Sequence, residues 1–271
     1  MSMRWSLSNP GLVATVRQRS ARFFSSRAAK VPDGAHPDRR HLLDSNRVVI
    51  KVGTAVVSNP NGTLALSRMG ALCEEICSLK KQGMEVMLIS SGAIGLGRER
   101  VGLKKEVVSN VKNVIERQAC AAAGQELLMS TYNMMFSRLD MKCAQVLITQ
   151  GDFANRNRYE YLSLTLQRLS QLGVVPIINE NDVVTGSSQL DPATAGQVFA
   201  DNDTLAALIG ASAKADAVLM MTDVDAVFTK PPGTPGAERI AIYSNSTTFE
   251  EGEAAFSYQI HVCYMIPHTA C

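Results

Sequence analysis

Short β-rich runs alternate with helical periods through the middle of this chain, and no other feature restricts its architecture as much. The runs are Arg47 to Val52 (RVVIKV), Glu85 to Ser90 (EVMLIS), Cys143 to Thr149 (CAQVLIT), Val174 to Asn179 (VVPIIN) and Ala217 to Thr222 (AVLMMT). Between the first two, Ser67 to Lys81 places Met69, Leu72, Ile76 and Leu79 at spacings of three and four, and Gly83 closes that helix. Asn113 to Leu139 reads as a long helix with a candidate break near Gly124. Arg158 to Leu172 sets Leu162, Leu166 and Leu169 on one side, and Thr204 to Ala213 is helical, with Asn202 or Asp203 placed to cap it. Strand, helix, strand in steady alternation builds a parallel sheet covered on both faces.

With 271 residues, 46% hydrophobic and 19% charged, the chain can bury one sizeable core, which predicts one α/β domain plus extensions. No window approaches the roughly 18 apolar residues that a membrane span needs. The net charge of +2 hides an asymmetry, since residues 1–40 carry +6 and residues 41–271 carry −4. A body of that sign is not a nucleic-acid binder by bulk field. Arg4, Arg17, Arg19, Arg22 and Arg27, repeated Ser, and no acidic residue before Asp33 fit a mitochondrial transit peptide and basic extension over residues 1–41. The alternative is a basic tail with no address, and a cytoplasmic protein.

Six cysteines include no C-x-x-C pair, and Cys73 and Cys77 sit four apart on the apolar side of a helix, so core packing and a reducing compartment are expected. All four histidines lie near the ends, at 36, 41, 261 and 268. Residues 42–260 contain none, so chemistry in that stretch uses neither a histidine base, nor a Ser-His-Asp triad, nor a histidine zinc site.

In an open parallel sheet, ligands collect outside the carboxyl ends of the strands. Those ends carry Lys51-Val52-Gly53-Thr54, Ser91-Gly92-Ala93, Asn179-Glu180-Asn181-Asp182 and Thr222-Asp223, and a further polar knot, Asp201-Asn202-Asp203, opens a helix. An isolated Asn-Glu-Asn-Asp would be a solvated turn; five polar clusters on one rim make a ligand site the stronger reading. Lys51 is costly to bury in an apolar strand unless its ammonium meets an anion. The competing reading is an edge-strand lysine reaching solvent. Gly53 and Gly92 would let backbone amides approach phosphate oxygens. The common nucleotide motifs are missing: there is no G-x-x-x-x-G-K-[ST], and Gly95-Leu96-Gly97 lacks the third glycine of G-x-G-x-x-G.

VVIKVGTAVV, LISSGAIGLGRER, ACAAAGQ, VPIINENDVV, FADNDTLAAL and LMMTDVDAVF stand in the order and spacing of the amino acid kinase family, and over residues 45–253 the chain most closely resembles its glutamate 5-kinases. ACAAAGQELLMSTYNMMF and TKPPGTPG look more like the kinase part of bifunctional eukaryotic pyrroline-5-carboxylate synthases than a bacterial enzyme. The resemblance implies a three-layer αβα sandwich with a mostly parallel central sheet. It also implies transfer of the γ-phosphoryl group of ATP, with Mg²⁺ brought by its phosphates and no protein metal site, to the side-chain carboxylate of L-glutamate, the first step of proline synthesis. By resemblance Lys51 and Asp203 are catalytic, Asp203 orienting the lysine. Ser91, Gly92, Asn179, Asp182 and Asn202 hold glutamate, with Asp182 facing its amino group. Lys51, Gly53, Thr54, Thr222 and Asp223 meet ATP. A homo-oligomer and feedback inhibition by proline are the associated partner expectations. A carboxylate acceptor is already ionised at pH 7, so transfer needs positioning and charge neutralisation but no general base, which suits a body without histidine.

Past Glu253 the family shows a glycine-rich segment, GxGGMxxK, followed by further helix and strand. Here residues 254–271 read AAFSYQIHVCYMIPHTAC, 18 residues without Asp, Glu, Lys or Arg. They read as an atypical tail to a kinase domain over residues 42–253, incomplete at its C-terminus. The second functional reading is accordingly a catalytically impaired remnant that binds a nucleotide or an amino acid.

Overall fold

The computed structural model describes residues 42, 44–109, 113–185, 202–222, 227–228, 233–240 and 261–265. Two compact units divide the chain, Met1–Asp44 and Ser45–Cys271; of the first, only residues 42 and 44 are described, so the transit-peptide segment lies outside the described residues. In the second unit β1 (Arg47–Val52), β2 (Glu85–Ser90), β3 (Cys143–Ile148), β4 (Val175–Glu180), β5 (Ala217–Met221) and β8 (His261–Met265) form one sheet in the order β3-β4-β2-β1-β5-β8. Every pairing in it is parallel. A two-stranded antiparallel ribbon, β6 (Val227–Phe228) with β7 (Arg239–Ile240), stands apart. The sixth strand was not expected: part of the segment read as a tail pairs with β5 along its whole length.

The helices are α1 (Thr54–Val57), α2 (Leu66–Lys81), α3 (Ala93–Val101), α4 (Lys105–Ser109), α5 (Val114–Arg138), α6 (Gln150–Ala154), α7 (Arg156–Gln171), α8 (Asp182–Thr185) and α9 (Asn202–Ser212). Strand order and crossover handedness together assign them to layers. The steps β1 to β2 and β2 to β3 move one way along the sheet, and β3 to β4 and β4 to β5 move back. Right-handed crossovers then put α2 and α5 on one face and α7 and α9 on the other. The packing agrees: α2 meets β2 and α5, whereas α7 meets β4 and α9 lies on β1, β2, β4 and β5. On the α7–α9 face Val49, Met87, Ile89, Ile178 and Val218 interlock with Leu166, Leu205 and Ile209. Among the described residues no helix is long and apolar enough to cross a membrane.

Four helices return to the sheet through the same device. After α2, α5, α7 and α9 the chain takes a positive φ at Gly83 (+92°), Asp140 (+55°), Gly173 (+75°) and Lys214 (+50°). Each of these residues donates its N–H to the carbonyl three back. The following residue bonds five back, as Met84 to Leu79 (3.2 Å) and Ala215 to Gly210 (2.9 Å). Gly83 closes α2 as expected, while Asp140 and Lys214 do the same work against the steric preference of a side chain.

Two local expectations need correction. The long helix α5 is unbroken at Gly124. That glycine is where α3 crosses: a Cβ on Gly124 would lie 1.8 Å from the Ala93 carbonyl oxygen, and one on Gly97 would lie 1.7 Å from that of Cys120. The two backbones touch there, so GAIGLG and AAAGQ are helix-packing sequences as well as rim sequences. Asn202 and Asp203 lie inside the first turn of α9 rather than capping it. Cys143 to Ile148, a strand as expected, is a partly exposed edge of the sheet. Cys73 and Cys77 are buried, free core side chains as expected, and burial pushes the Cys73 thiol up to about 12.

Candidate functional site

Lys51 is in β1, between β2 and β5, so it is not an edge-strand lysine. Its side chain is 11% exposed, on the face shared with Val49 and α9, and its Nζ lies 2.6 Å from Asp203 Oδ1 on the first turn of that helix. An ammonium buried this deeply is tolerable only with such a partner. Beside it, Gly53 donates its N–H to the Met221 carbonyl at 2.9 Å, a bridge between the ends of β1 and β5. That amide is therefore committed to the protein and is not offered to a phosphate. What the glycine leaves is space, because a Cβ there would come 3.8 Å from Lys51 Nζ and 3.3 Å from the Met221 oxygen.

On the neighbouring strands a directional hydrogen-bond chain is assembled. Asn179, 2% exposed, accepts at Oδ1 from the Glu180 N–H (2.9 Å) and from Asn202 Nδ2 (3.0 Å). Two donors at Oδ1 fix the amide orientation, so Asn179 Nδ2 donates to Gln125 Oε1 on α5 at 2.9 Å. Asn202 Nδ2 also donates to Ser91 Oγ at 2.9 Å. The Ser91 hydroxyl accepts in that bond, which leaves its proton for another acceptor. Behind Ser91, Ser90 and Tyr132 share a buried contact of 3.0 Å. Gly92 is required for backbone reasons: its φ is +102°, and a Cβ would strike Val57 Cγ2 at 2.5 Å.

The rim thus contains two crevices where neighbouring strands send their connections in opposite directions, one between β1 and β5 and one between β2 and β4. Lys51, Gly53 and Thr222 border the first; Ser91 and Asn179 border the second. The first turn of α9 joins them, Asp203 reaching to Lys51 and Asn202 to Ser91 and Asn179. Thr54 is exposed at the start of α1. Asp182 is half-buried at the start of α8 and makes no bond to Ser91, Asn179 or Asn202. Burial raises its carboxyl above the usual range, and the Arg117 guanidinium works against that rise. Burial, followed by the charge of Asp182, also raises Glu180, while a hydrogen bond from Thr185 opposes this. Asp201 and Asp223 lie outside the described residues. Among the described residues no three His, Cys, Asp or Glu side chains gather as metal ligands.

Reasoning from strand ends missed Arg117 and Gln125, which approach the site from a helix. The spacing 117, 121, 125 places them on one face of α5, and Gln125 closes the ACAAAGQ motif. Only knowledge of which face meets the sheet would have selected them.

A parallel αβα layer structure with a buried lysine, a helix N-terminal turn and a file of amides on its carboxyl rim defines an α/β protein with a polar site at its strand ends. The description "Amino acid kinase family" matches residues 46–258, and the chain belongs to that family. Delta-1-pyrroline-5-carboxylate synthase 1 of Oryza sativa subsp. japonica is 42% identical over 213 residues, covering 76% of this chain and 30% of that protein. Glutamate 5-kinase of Synechococcus elongatus is 42% identical over 212 residues, covering 78% of this chain and 54% of that protein. The chain therefore spans between about a third and about half of the length of these curated relatives. A solved structure of UMP kinase from Bacillus anthracis overlaps 72% of each chain at 19% identity, with a TM-score of 0.44.

Proposed function

We propose that this chain carries the glutamate 5-kinase site, in which the γ-phosphoryl group of ATP passes to the side-chain carboxylate of L-glutamate. The observation that carries this reading is the first turn of α9, which connects a lysine crevice to an amide and hydroxyl crevice. A reaction that joins two anions needs that pairing: a cation where charge accumulates, and neutral donors that hold a carboxylate without quenching its nucleophilicity.

In this reading Lys51 stands where the transferring group carries its charge, and Asp203 holds the lysine in place. The Ser91 proton grips the acceptor carboxylate; Asn202, whose two amide hydrogens go to Ser91 Oγ and Asn179 Oδ1, holds that serine in place, and the Asn179–Gln125 pair keeps Asn202 from turning. Gly53, Thr54, Thr222 and Asp223 line the nucleotide side, with Mg²⁺ bound through the phosphates and supplying further charge neutralisation. No residue needs to remove a proton, in keeping with an acceptor ionised at pH 7. The two named relatives motivate glutamate as the substrate and proline synthesis as the setting. Arginine-rich residues 1–41 support mitochondrial import, and a homo-oligomer inhibited by proline completes the proposal.

The test is an assay that traps acyl phosphate with hydroxylamine. Hydroxamate that appears only with ATP, Mg²⁺ and L-glutamate together supports the reading. Hydroxamate formed equally with aspartate or acetate, or none formed and no glutamate bound, defeats it.

A further inference from the structure

A cavity of about 210 Å³ opens between α7 and α9 at the start of β1, the opposite end of the sheet from the rim. Buried Met87 and Leu166 form its apolar floor, and Leu164 stands at its edge, 53% exposed. Hydrogen-bond donors converge on that floor from three elements. Arg47, on β1, gives its Nε–H to Glu85 (2.7 Å) and one Nη1 hydrogen to the Ala213 carbonyl, which uses two of its five N–H groups and leaves three. Ser163 on α7 and Ser212 on α9 lie 2.9 Å apart, oxygen to oxygen, so one hydroxyl proton joins them and the other is left over. Lys214, exposed just past the end of α9, has no ion-pair partner among the described residues. The acids of this corner are committed elsewhere: Glu85 accepts from Arg47, and Asp216 Oδ2 accepts the N–H groups of Asn46 (2.7 Å) and Arg47 (2.8 Å). Gln167 and the serine oxygens can accept as well as donate, but no carboxylate lines the cavity.

An apolar floor ringed by surplus donors and an unpaired ammonium is short of acceptors and of negative charge. The cavity is smaller than the roughly 300–1,000 Å³ that holds a drug-sized molecule, so its occupant is small. We propose that it binds a small monocarboxylic acid with a branched aliphatic body. The carboxylate meets the free N–H groups of Arg47, the Lys214 ammonium and the spare serine proton, in charge-assisted hydrogen bonds, while the body covers Met87 and Leu166. A free α-amino acid is refused by the same residues, because its ammonium would face two cations and no carboxylate. The site does not depend on the glutamate kinase reading. Its occupant nonetheless touches β1 and α9, the two elements that carry Lys51 and Asp203, at their other ends.

Isothermal titration of the full chain, without glutamate or nucleotide, compares 4-methylpentanoate with 4-methylpentanamide, the same body without the charge; the amide is read by displacement of the acid. The acid is expected to bind at least about 10-fold more tightly, as charge-assisted hydrogen bonds require. Arg47 also fastens α9 to β1, so the variants are made at exposed positions that the fold does not need. Lys214→Gln is expected to weaken the acid about 3- to 10-fold and leave the amide unchanged. Leu164→Trp, which fills the mouth of the cavity, is expected to weaken both. A wild-type chain that takes neither compound overturns the site and makes the cavity a packing gap. Equal affinity for acid and amide also overturns it, as does an acid whose binding ignores both variants and so lies elsewhere. A separate titration with L-glutamate tests the kinase reading. A chain that binds the acid but no glutamate keeps this site and loses that reading, so the two failures are told apart.

Discussion

Lys51 Nζ and Asp203 Oδ1 are 2.6 Å apart, the lysine on a central strand and the carboxylate on the opening turn of the helix that crosses above it. The lysine side chain is 11% exposed and the carboxylate 53%, so the pair has one dry end and one wet end. The charge that is hard to move is the ammonium. Strand geometry and a desolvated stem hold it, while Asp203 can exchange a contact with Lys51 for one with water. On the glutamate kinase proposal, this asymmetry suits an ammonium that meets a passing anion.

Removal of the ammonium should therefore act on the reaction more than on glutamate binding. Lys51→Met, close in shape, is expected to lower kcat on the order of 100-fold or more with little change in the KM for glutamate. Asp203→Asn, which frees the lysine without removing it, should cost less. Steady-state kinetics with hydroxylamine trapping measures both, and a large KM rise at near-normal kcat would reassign Lys51 to substrate binding.

The contact of α3 with α5 makes a second prediction, internal to one helix. Gly95 and Gly97 lie two residues apart on α3, yet a Cβ on Gly95 meets nothing within 4 Å, whereas one on Gly97 meets the Cys120 backbone at 1.7 Å. Gly97→Ala and Gly124→Ala must push the helices apart and should each destabilise by about 3 kcal/mol or more. Gly95→Ala gains helix propensity and should stabilise by up to about 1 kcal/mol. Urea unfolding of the three variants decides the matter. Equal effects at 95 and 97 would mean that the two helices do not touch as described.

These glycines also mark how far sequence reasoning reached. The strands were legible because each is a compact apolar run ended by polar residues, and β1, β2 and β5 begin where the pattern changes. The strand order was not, since nothing local in Lys51 says that its neighbours are β2 and β5, and an edge position fitted the sequence equally well. The rim residues Lys51, Ser91, Asn179, Asn202 and Asp203 were found because they interrupt apolar runs or open a helix. Arg117 and Gln125 were not, because a polar residue on a long helix is ordinary until the helix is docked. The Gly53 amide was misjudged for a similar reason. Its carbonyl partner, Met221, comes from a strand 168 residues away in the chain. The strand His261–Met265 escaped because its apolar neighbours blur its limits.

Asp182 links binding to stability. Burial raises its folded carboxyl above the ordinary value of 3.8, with Arg117 opposing the rise. A raised acid pKa means that the folded protein binds the proton more tightly than the unfolded chain. The stability from this group is then complete below 3.8 and is lost as pH rises through the folded value. At pH 7 the ionised carboxylate is a net cost to the fold in the absence of ligand. Asp182→Asn should accordingly stabilise the unliganded protein at pH 7, with a gain that shrinks on acidification towards 3.8. Chemical unfolding across that range tests the sign: a variant less stable than wild type at pH 7 would show that the carboxylate already has a partner in the unliganded fold.

The helix ends give the last prediction. Asp140 and Lys214 occupy the left-handed position that Gly83 and Gly173 fill in the equivalent turns, with φ of +55° and +50°, and both are exposed. A residue with a Cβ loses about 1–2 kcal/mol in that region relative to its preferred conformations. Glycine avoids the strain but adds freedom to the unfolded chain worth roughly 0.5–1 kcal/mol, so the net gain for replacement is about 0.5–1 kcal/mol. The two positions should differ in a definite order. A negative side chain beyond a helix C-terminus opposes the macrodipole and a positive one favours it, by about 0.3–1 kcal/mol when exposed. Asp140→Gly removes an unfavourable charge along with the strain, whereas Lys214→Gly gives up a favourable one. Asp140→Gly is therefore expected to raise the unfolding midpoint by about 2–4 °C and Lys214→Gly by less, or by nothing. Melting curves at low and at 1 M salt separate the two contributions, since screening removes the charge effect and leaves the backbone effect. If the variants still differ in high salt, the difference belongs to the turns themselves and not to the charges on them.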